Sequence, residues 1–117
     1  MSEGLEVFNA SGHPIAQEGV QVADEYRIPN VDTSDPEAIR ELAIDIAGRA
    51  RPYVKLGIPV ALPGMSILVA HVLAAIHGMT GFWPRVVWAV QEEGRFIWNA
   101  ENSVDLHWLR TSMREYR

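Results

Sequence analysis

The sequence predicts one α/β domain of Rossmann-like type: a mostly parallel sheet with flanking helices and a C-terminal β-hairpin at its edge. Three observations point there. Strand-like and helix-like segments alternate in the order strand, helix, strand, helix, strand, hairpin, the pattern of crossovers between parallel strands. The 117 residues, 48% of them hydrophobic, can supply one core but hardly two. No repeat, low-complexity stretch or linker divides the chain, so residues 1–117 read as a single domain, with about 99–117 as a C-terminal helical extension.

Each element has its own reason. Leu5-Glu6-Val7-Phe8 alternates between Gly4 and Asn9 and reads as a short strand. Asn9-Ala10-Ser11-Gly12-His13-Pro14 follows as a loop, because glycine and a residue before proline both resist helix. From Ile15 to Tyr26 the pattern is weak; Val20 and Val22 alternate, and Tyr26-Arg27-Ile28-Pro29 is the candidate second strand. A helix over about 36–50 is signalled by Ser34 or Asp35 as cap, by Pro36 in the first turn and by Ile39, Leu42, Ala43, Ile46 and Ala50 on one face.

Ile58-Pro59-Val60-Ala61-Leu62 is an apolar run ending at Pro63-Gly64, as in a strand buried on both faces. Ser66 can then cap an apolar helix over Ile67–Ile76 that closes at Gly78. A helix apolar nearly all round is hard to cover within one small domain, so part of the 66–78 segment is expected at a homodimer interface. Arg85 to Gln91 has strand propensity, and Glu92-Glu93-Gly94 turns it into the partner Arg95-Phe96-Ile97-Trp98. Ser103 can cap a last helix over about 104–115, with Leu106, Leu109 and Met113 on one face.

Composition narrows the chemistry. With no cysteine, disulfides, thiolate metal sites and thiol nucleophiles drop out. No His, Asp and Glu cluster has metal-ligand spacing, so no metal and no cofactor is expected. A formal charge of −5 argues against binding long nucleic acid, although a few backbone N–H groups can still hold a small anion. The first residues lack the basic and apolar regions of a secretory signal, and the apolar 66–77 helix would be about 18 Å long against roughly 30 Å of hydrocarbon. A cytoplasmic location with no membrane partner is the expectation.

In open α/β sheets ligands gather where loops leave the carboxyl ends of the strands. Two loops qualify. Asn9 to Pro14 offers hydroxyl, amide and imidazole groups, with Gly12 allowing close backbone approach, or it is a plain turn. Leu62-Pro63-Gly64-Met65-Ser66 opens the apolar helix, and its N–H groups form an anion site or merely start a capped helix. His13 is the candidate acid–base group, whereas His71 and His77 read as packing residues. Arg85 is either a phosphate contact or a solvent charge, and Trp83, Trp88 and Trp98 are either core residues or base-stacking platforms.

Val7-Phe8-Asn9-Ala10-Ser11-Gly12-His13-Pro14, Val60-Ala61-Leu62-Pro63-Gly64-Met65-Ser66 and His77-Gly78-Met79-Thr80-Gly81-Phe82-Trp83-Pro84-Arg85 occur in an order that resembles a small CRISPR-associated family. That family is the one called Csx fifteen, a stand-alone CARF-like protein of type III systems. The resemblance covers about 30 residues spread from residue 7 to 85, and Ala10, Gly12 and Trp83 depart from its motifs. It implies a CARF-like homodimer binding a cyclic oligoadenylate, the four-adenosine ring, across a two-fold axis. Asn9, Ser11 and His13 would then line the site from the first loop, and Gly64, Met65 and Ser66 from the second; Ala10 and Gly12 of the first loop and Arg85 are further expected ligand contacts. Ring cleavage would use His13 or Ser11 without metal; sequestration would need only the cleft, and either would lower the second messenger. A small-molecule enzyme acting on another nucleotide or sugar phosphate, and a purely structural dimer, remain the alternatives.

Overall fold

The computed structural model describes residues 4–117. The order is β1 (Leu5–Asn9), β2 (Val20–Glu25), α1 (Pro36–Lys55), β3 (Val60–Ala61), α2 (Ser66–Thr80), β4 (Arg85–Glu92), β5 (Arg95–Asp105) and α3 (Leu106–Met113). The result is an α/β fold whose mixed sheet runs β2-β1-β3-β4-β5, with β5 antiparallel to β4 and the other pairs parallel.

Strand order and chirality together decide which face each connection covers. The passage from β1 to β2 moves one way across the sheet, while α1 and α2 carry the chain back the other way to β3 and β4. Right-handed crossovers moving in opposite directions lie on opposite faces. Accordingly, Ile39, Ile46, Leu68, Val72 and Ile76 of the two helices share a buried cluster with Phe8 and Val60. Val7, Ala61 and Val87 point the other way, where Ile15 of the β1–β2 loop, together with Val20, Val22 and Trp98, packs against them. That second face has a ten-residue loop where a crossover helix would otherwise sit.

The α1 expectations hold at its start and its face. Asp35 caps it, accepting N–H bonds from Glu37 and Ala38 at 3.0 and 3.4 Å, and all five face residues named from the sequence are buried. It does not stop at residue 50, however, but continues to Lys55 through Pro52. Proline removes only the bond back to the exposed Gly48, and the extra turn stacks Tyr53 on Phe8 at 5.3 Å.

Other boundaries differ from expectation for identifiable reasons. The second strand is Val20–Glu25 rather than 26–29; Tyr26 donates the last rung to Asn9 at 2.8 Å, after which Tyr26 and Ile28 turn into the helix-side cluster. The 58–62 strand is trimmed to Val60–Ala61, because prolines at 59 and 63 lack the donor a ladder needs. Ser66 is not the cap of α2: Met65 holds that position without a side-chain bond, and Ser66 is the first helical residue. α2 also runs past Gly78 to Thr80, where Gly81 takes φ 77° and donates to the His77 carbonyl at 2.8 Å.

The C-terminal extension is only partly helical. β5 reaches Asp105, pairing Val104 with Val86 and Ser103 with Val87, so ladder bonds claim residues expected in a helix. Asp105, not Ser103, caps α3 by accepting from His107 and Trp108; Ser103 donates to the Ala100 carbonyl at 2.6 Å inside a bulge. No residue of α3 is buried.

Candidate functional site

The sheet has a step at the carboxyl end of its central strand. β3 stops at Ala61, beside Asn9 and Val87, whereas β4 continues five residues to Glu92 and turns back as β5. The β1–β2 loop stands on the other side of the step. Between them lies a cavity of about 710 Å³, within the roughly 300–1,000 Å³ of small-molecule sites. Ser11 and residues 13–17 form one wall, Leu62-Pro63-Gly64 and Val69 the floor, and the β4–β5 hairpin the other wall; Gly12, expected as a ligand contact, is not in the lining, since a Cβ added there would meet Ile28 at 3.6 Å.

One side chain joins the two walls. The Gln17 carboxamide donates to the Trp98 carbonyl and accepts the Trp98 N–H, both at 2.8 Å, so it serves the edge strand as a one-residue neighbour. This draws β5 over the second face and packs Trp98 against it, partly replacing the missing helix.

The loop itself is built around Asn9, which is 1% exposed. Its Oδ1 accepts the Ser11 N–H at 3.0 Å and the Ser11 hydroxyl at 2.6 Å, and its Nδ2 donates to the His13 carbonyl at 2.8 Å. Ser11 Oγ accepts in turn from the His13 N–H at 3.2 Å. Gly12 sits at φ 85°, a left-handed conformation that this tight turn requires of it. The outcome is a pre-formed ring of bonds that leaves the exposed His13 at the cavity rim.

Of the residues singled out from the sequence, the cavity brings together Ser11, His13 and Gly64. Gly64 is exposed, and a Cβ added there would meet nothing within 4 Å, so its backbone is open to a ligand. Asn9 and Ala10 do not face the cavity as expected: both are buried, and Ala10 donates to the Ala61 carbonyl at 2.9 Å. Asn9 positions the loop instead. Met65 packs on the helix-side cluster, and Ser66 is exposed at the start of α2 outside the cavity lining. Arg85 begins β4, at the amino end of the parallel strands, so it stands away from the loops. The Ser11 hydroxyl lies within hydrogen-bond reach of the Asn9 Oδ1 at 2.6 Å and of the His13 carbonyl at 3.1 Å, and neither acceptor is a base that could take its proton.

Perturbed titrations gather elsewhere. Beyond β2, burial and the hydrogen-bonded Asp45 push the Tyr26 phenol up to about 12. The Arg49 guanidinium grips both oxygens of Asp24 at 3.0 and 3.1 Å and holds that carboxyl below its usual range. These groups satisfy one another and tie the end of β2 to α1.

Among the wall residues that the sequence does not assign to the site are Gln17, Trp88, Phe96 and Trp98. The Trp signal is present but divides between core and stacking roles, and nothing local marks Gln17, whose partner lies 81 residues away. No protein-family model, curated protein or solved structure matches the chain.

Proposed function

We propose that this chain is a Rossmann-like, CARF-like domain that binds a cyclic oligoadenylate, the four-adenosine ring, and lowers its free level, damping type III CRISPR signalling. The observation that carries the reading is the convergence of the 11–14 and 62–64 loops in one cavity at the carboxyl ends of β1 and β3. The order of the sheet, with the chain reversing direction between β1 and β3, supports the Rossmann-like assignment. The three motifs that resemble the Csx fifteen family supply the ligand class.

A homodimer suits a symmetric ring, because each subunit presents the same loops to half of it. α2 supports such an interface: Ile67 is 49% exposed, the outward face continues through the exposed Ala70, Ala74 and Gly78 with His71 beside them, and the helix carries no Asp, Glu, Lys or Arg. Gly64 of the cavity floor lies two residues before α2 and Val69 in its first turn, so pairing through α2 would bring the ligand site beside the interface.

Sequestration is the favoured outcome over cleavage. Cutting a phosphodiester by its adjacent ribose 2′-hydroxyl forms a 2′-O–P bond and breaks the P–O5′ bond. One proton leaves the attacking oxygen and one reaches the departing oxygen. Among the described residues lining the cavity, His13 is the only ionisable side chain. A single imidazole can do both jobs in turn but not together, so any turnover is slow.

The test is incubation with labelled cyclic tetra-adenylate in the absence of added metal, reading retention on a native gel and product formation side by side. Retention without product is the expected result; absence of both overturns the reading. If product does form, His13→Ala should abolish it while sparing much of the retention, and unchanged turnover would remove the imidazole from the chemistry.

A further inference from the structure

Resting on the nucleotide-binding reading, we propose that Trp88 and Phe96 form a base-stacking wall that makes the cavity selective for purine nucleotides. Phe96 is 69% exposed and Trp88 46% exposed, yet both rings line the cavity. Neither belongs to a core cluster, so folding does not explain why large aromatic rings stand there.

The backbone aims these rings. β4 and β5 pair Val87 with Ser103 and then Ala89 with Trp98, so the β5 strand bulges opposite Trp88. Opposite the bulge the four consecutive β4 residues Val86, Val87, Trp88 and Ala89 border the cavity, so Trp88 stands at its wall where the ladder is interrupted. Phe96 is two residues from Trp98 and shares its side of β5. Trp98 is held through both backbone groups by Gln17 and through its ring by the second-face cluster, which makes the wall a fixed platform.

The cavity is therefore divided by chemistry. Its 11–14 and 62–64 side carries the Ser11 hydroxyl, the His13 imidazole and the open Gly64 backbone among Pro14, Leu62 and Pro63, groups that can meet phosphate and ribose, while the hairpin side carries the aromatic residues. Such a division matches a nucleotide lying with its base on the hairpin. Stacking strengthens with the area of the base, so two-ring purines gain more than pyrimidines. A sugar phosphate would leave the wall unused.

Two readouts test this on the full chain: retention of labelled cyclic tetra-adenylate or cyclic tetra-uridylate, and quenching of tryptophan fluorescence by adenosine monophosphate. Wild type is compared with Phe96→Ala, Trp88→Ala and Phe96→Tyr. Each alanine variant should weaken adenylate retention about tenfold or more. Phe96→Tyr should restore it, and the preference for adenylate over uridylate should shrink with each ring removed. Because both side chains are largely exposed, melting temperatures should stay near wild type.

Wild-type retention with undiminished retention in the alanine variants would overturn the wall and leave the cyclic oligoadenylate reading standing. An equal loss for both rings, with the preference intact, would likewise overturn it, since that marks a merely structural role. Should wild type retain neither ring but bind adenosine monophosphate through Trp88 and Phe96, the wall stands and the ring reading fails. Absence of any adenosine monophosphate quenching together with absence of ring retention overturns both.

Discussion

Replacing Asn9 with alanine removes the keystone of the first loop. Three hydrogen bonds go at once: two to Ser11, at 3.0 and 2.6 Å, and one to the His13 carbonyl at 2.8 Å. At about 0.5–1.5 kcal/mol net each, they sum to roughly 1.5–4.5 kcal/mol. The Ser11 hydroxyl and the His13 carbonyl re-solvate readily, since Ser11 is half-buried and His13 exposed. The lower half applies, and the expected loss is about 2 kcal/mol, or roughly 8 °C in Tm for a domain of this size. Urea unfolding at pH 7 measures it, with the m-value unchanged.

Asn9→Asp sharpens the test, because a carboxylate can accept from Ser11 but cannot donate to the His13 carbonyl. Burial and that lost donation disfavour its charge, so the introduced carboxyl has a folded-state pKa above its unfolded value of about 4. A raised folded pKa gives stability that is full below the unfolded value and lost as pH rises through the folded one. The Asp variant should thus be weaker than wild type at pH 7 and recover toward pH 4. An Asn9→Ala loss under about 0.5 kcal/mol, or an Asp variant as stable as wild type at pH 7, would refute the keystone role.

Three further outcomes follow from the titrating and capping groups. The Asp24 carboxyl is held low by Arg49, so its contribution is present above 3.8 and disappears as pH falls through the lower folded value. Asp24→Asn should therefore unfold at lower urea than wild type at pH 7. The gap should close near pH 2 and shrink with added salt, because the pair is partly exposed. Tyr26, raised to about 12, stabilises below pH 10 and loses that contribution as pH rises through about 12. Absorbance at 295 nm should show a late phenol transition whose amplitude falls by one tyrosine in Tyr26→Phe, the raised Tyr53 remaining, and an undiminished amplitude would contradict the Asp45 contact. Asp105→Ala should cost about 1 kcal/mol at α3, read as faster amide exchange at His107 and Trp108, with exchange in α1 unaltered.

Much of the fold is legible because it rests on local patterns. The α1 face from Ile39 to Ala50 repeats every three or four residues, Asp35-Pro36 announces its start, and Glu93-Gly94 marks the hairpin with two positive φ angles. The misplaced boundaries share a cause: long-range partners outvote local propensity. Val20–Glu25 looks weak alone but lies beside β1, and Ser103–Asp105 becomes strand because it pairs with Arg85–Val87 of β4.

The site divides in the same way. Ser11, His13 and Gly64 are legible because loops after strands follow from element order, but Asn9, a ligand contact by its position in the loop, turns its side chain inward. Residue types, spacing and the alternation of elements determined the α/β class, the helical faces and the two loops. Only the tertiary structure decided that the β1–β2 connection covers the second face without a helix, that Gln17 draws β5 across it, and that Trp88, opposite a bulge in β5, borders the cavity. Periodicity reports what a residue needs from its near neighbours, whereas strand order, handedness and edge pairing bring together residues as distant as Gln17 and Trp98, 81 positions apart.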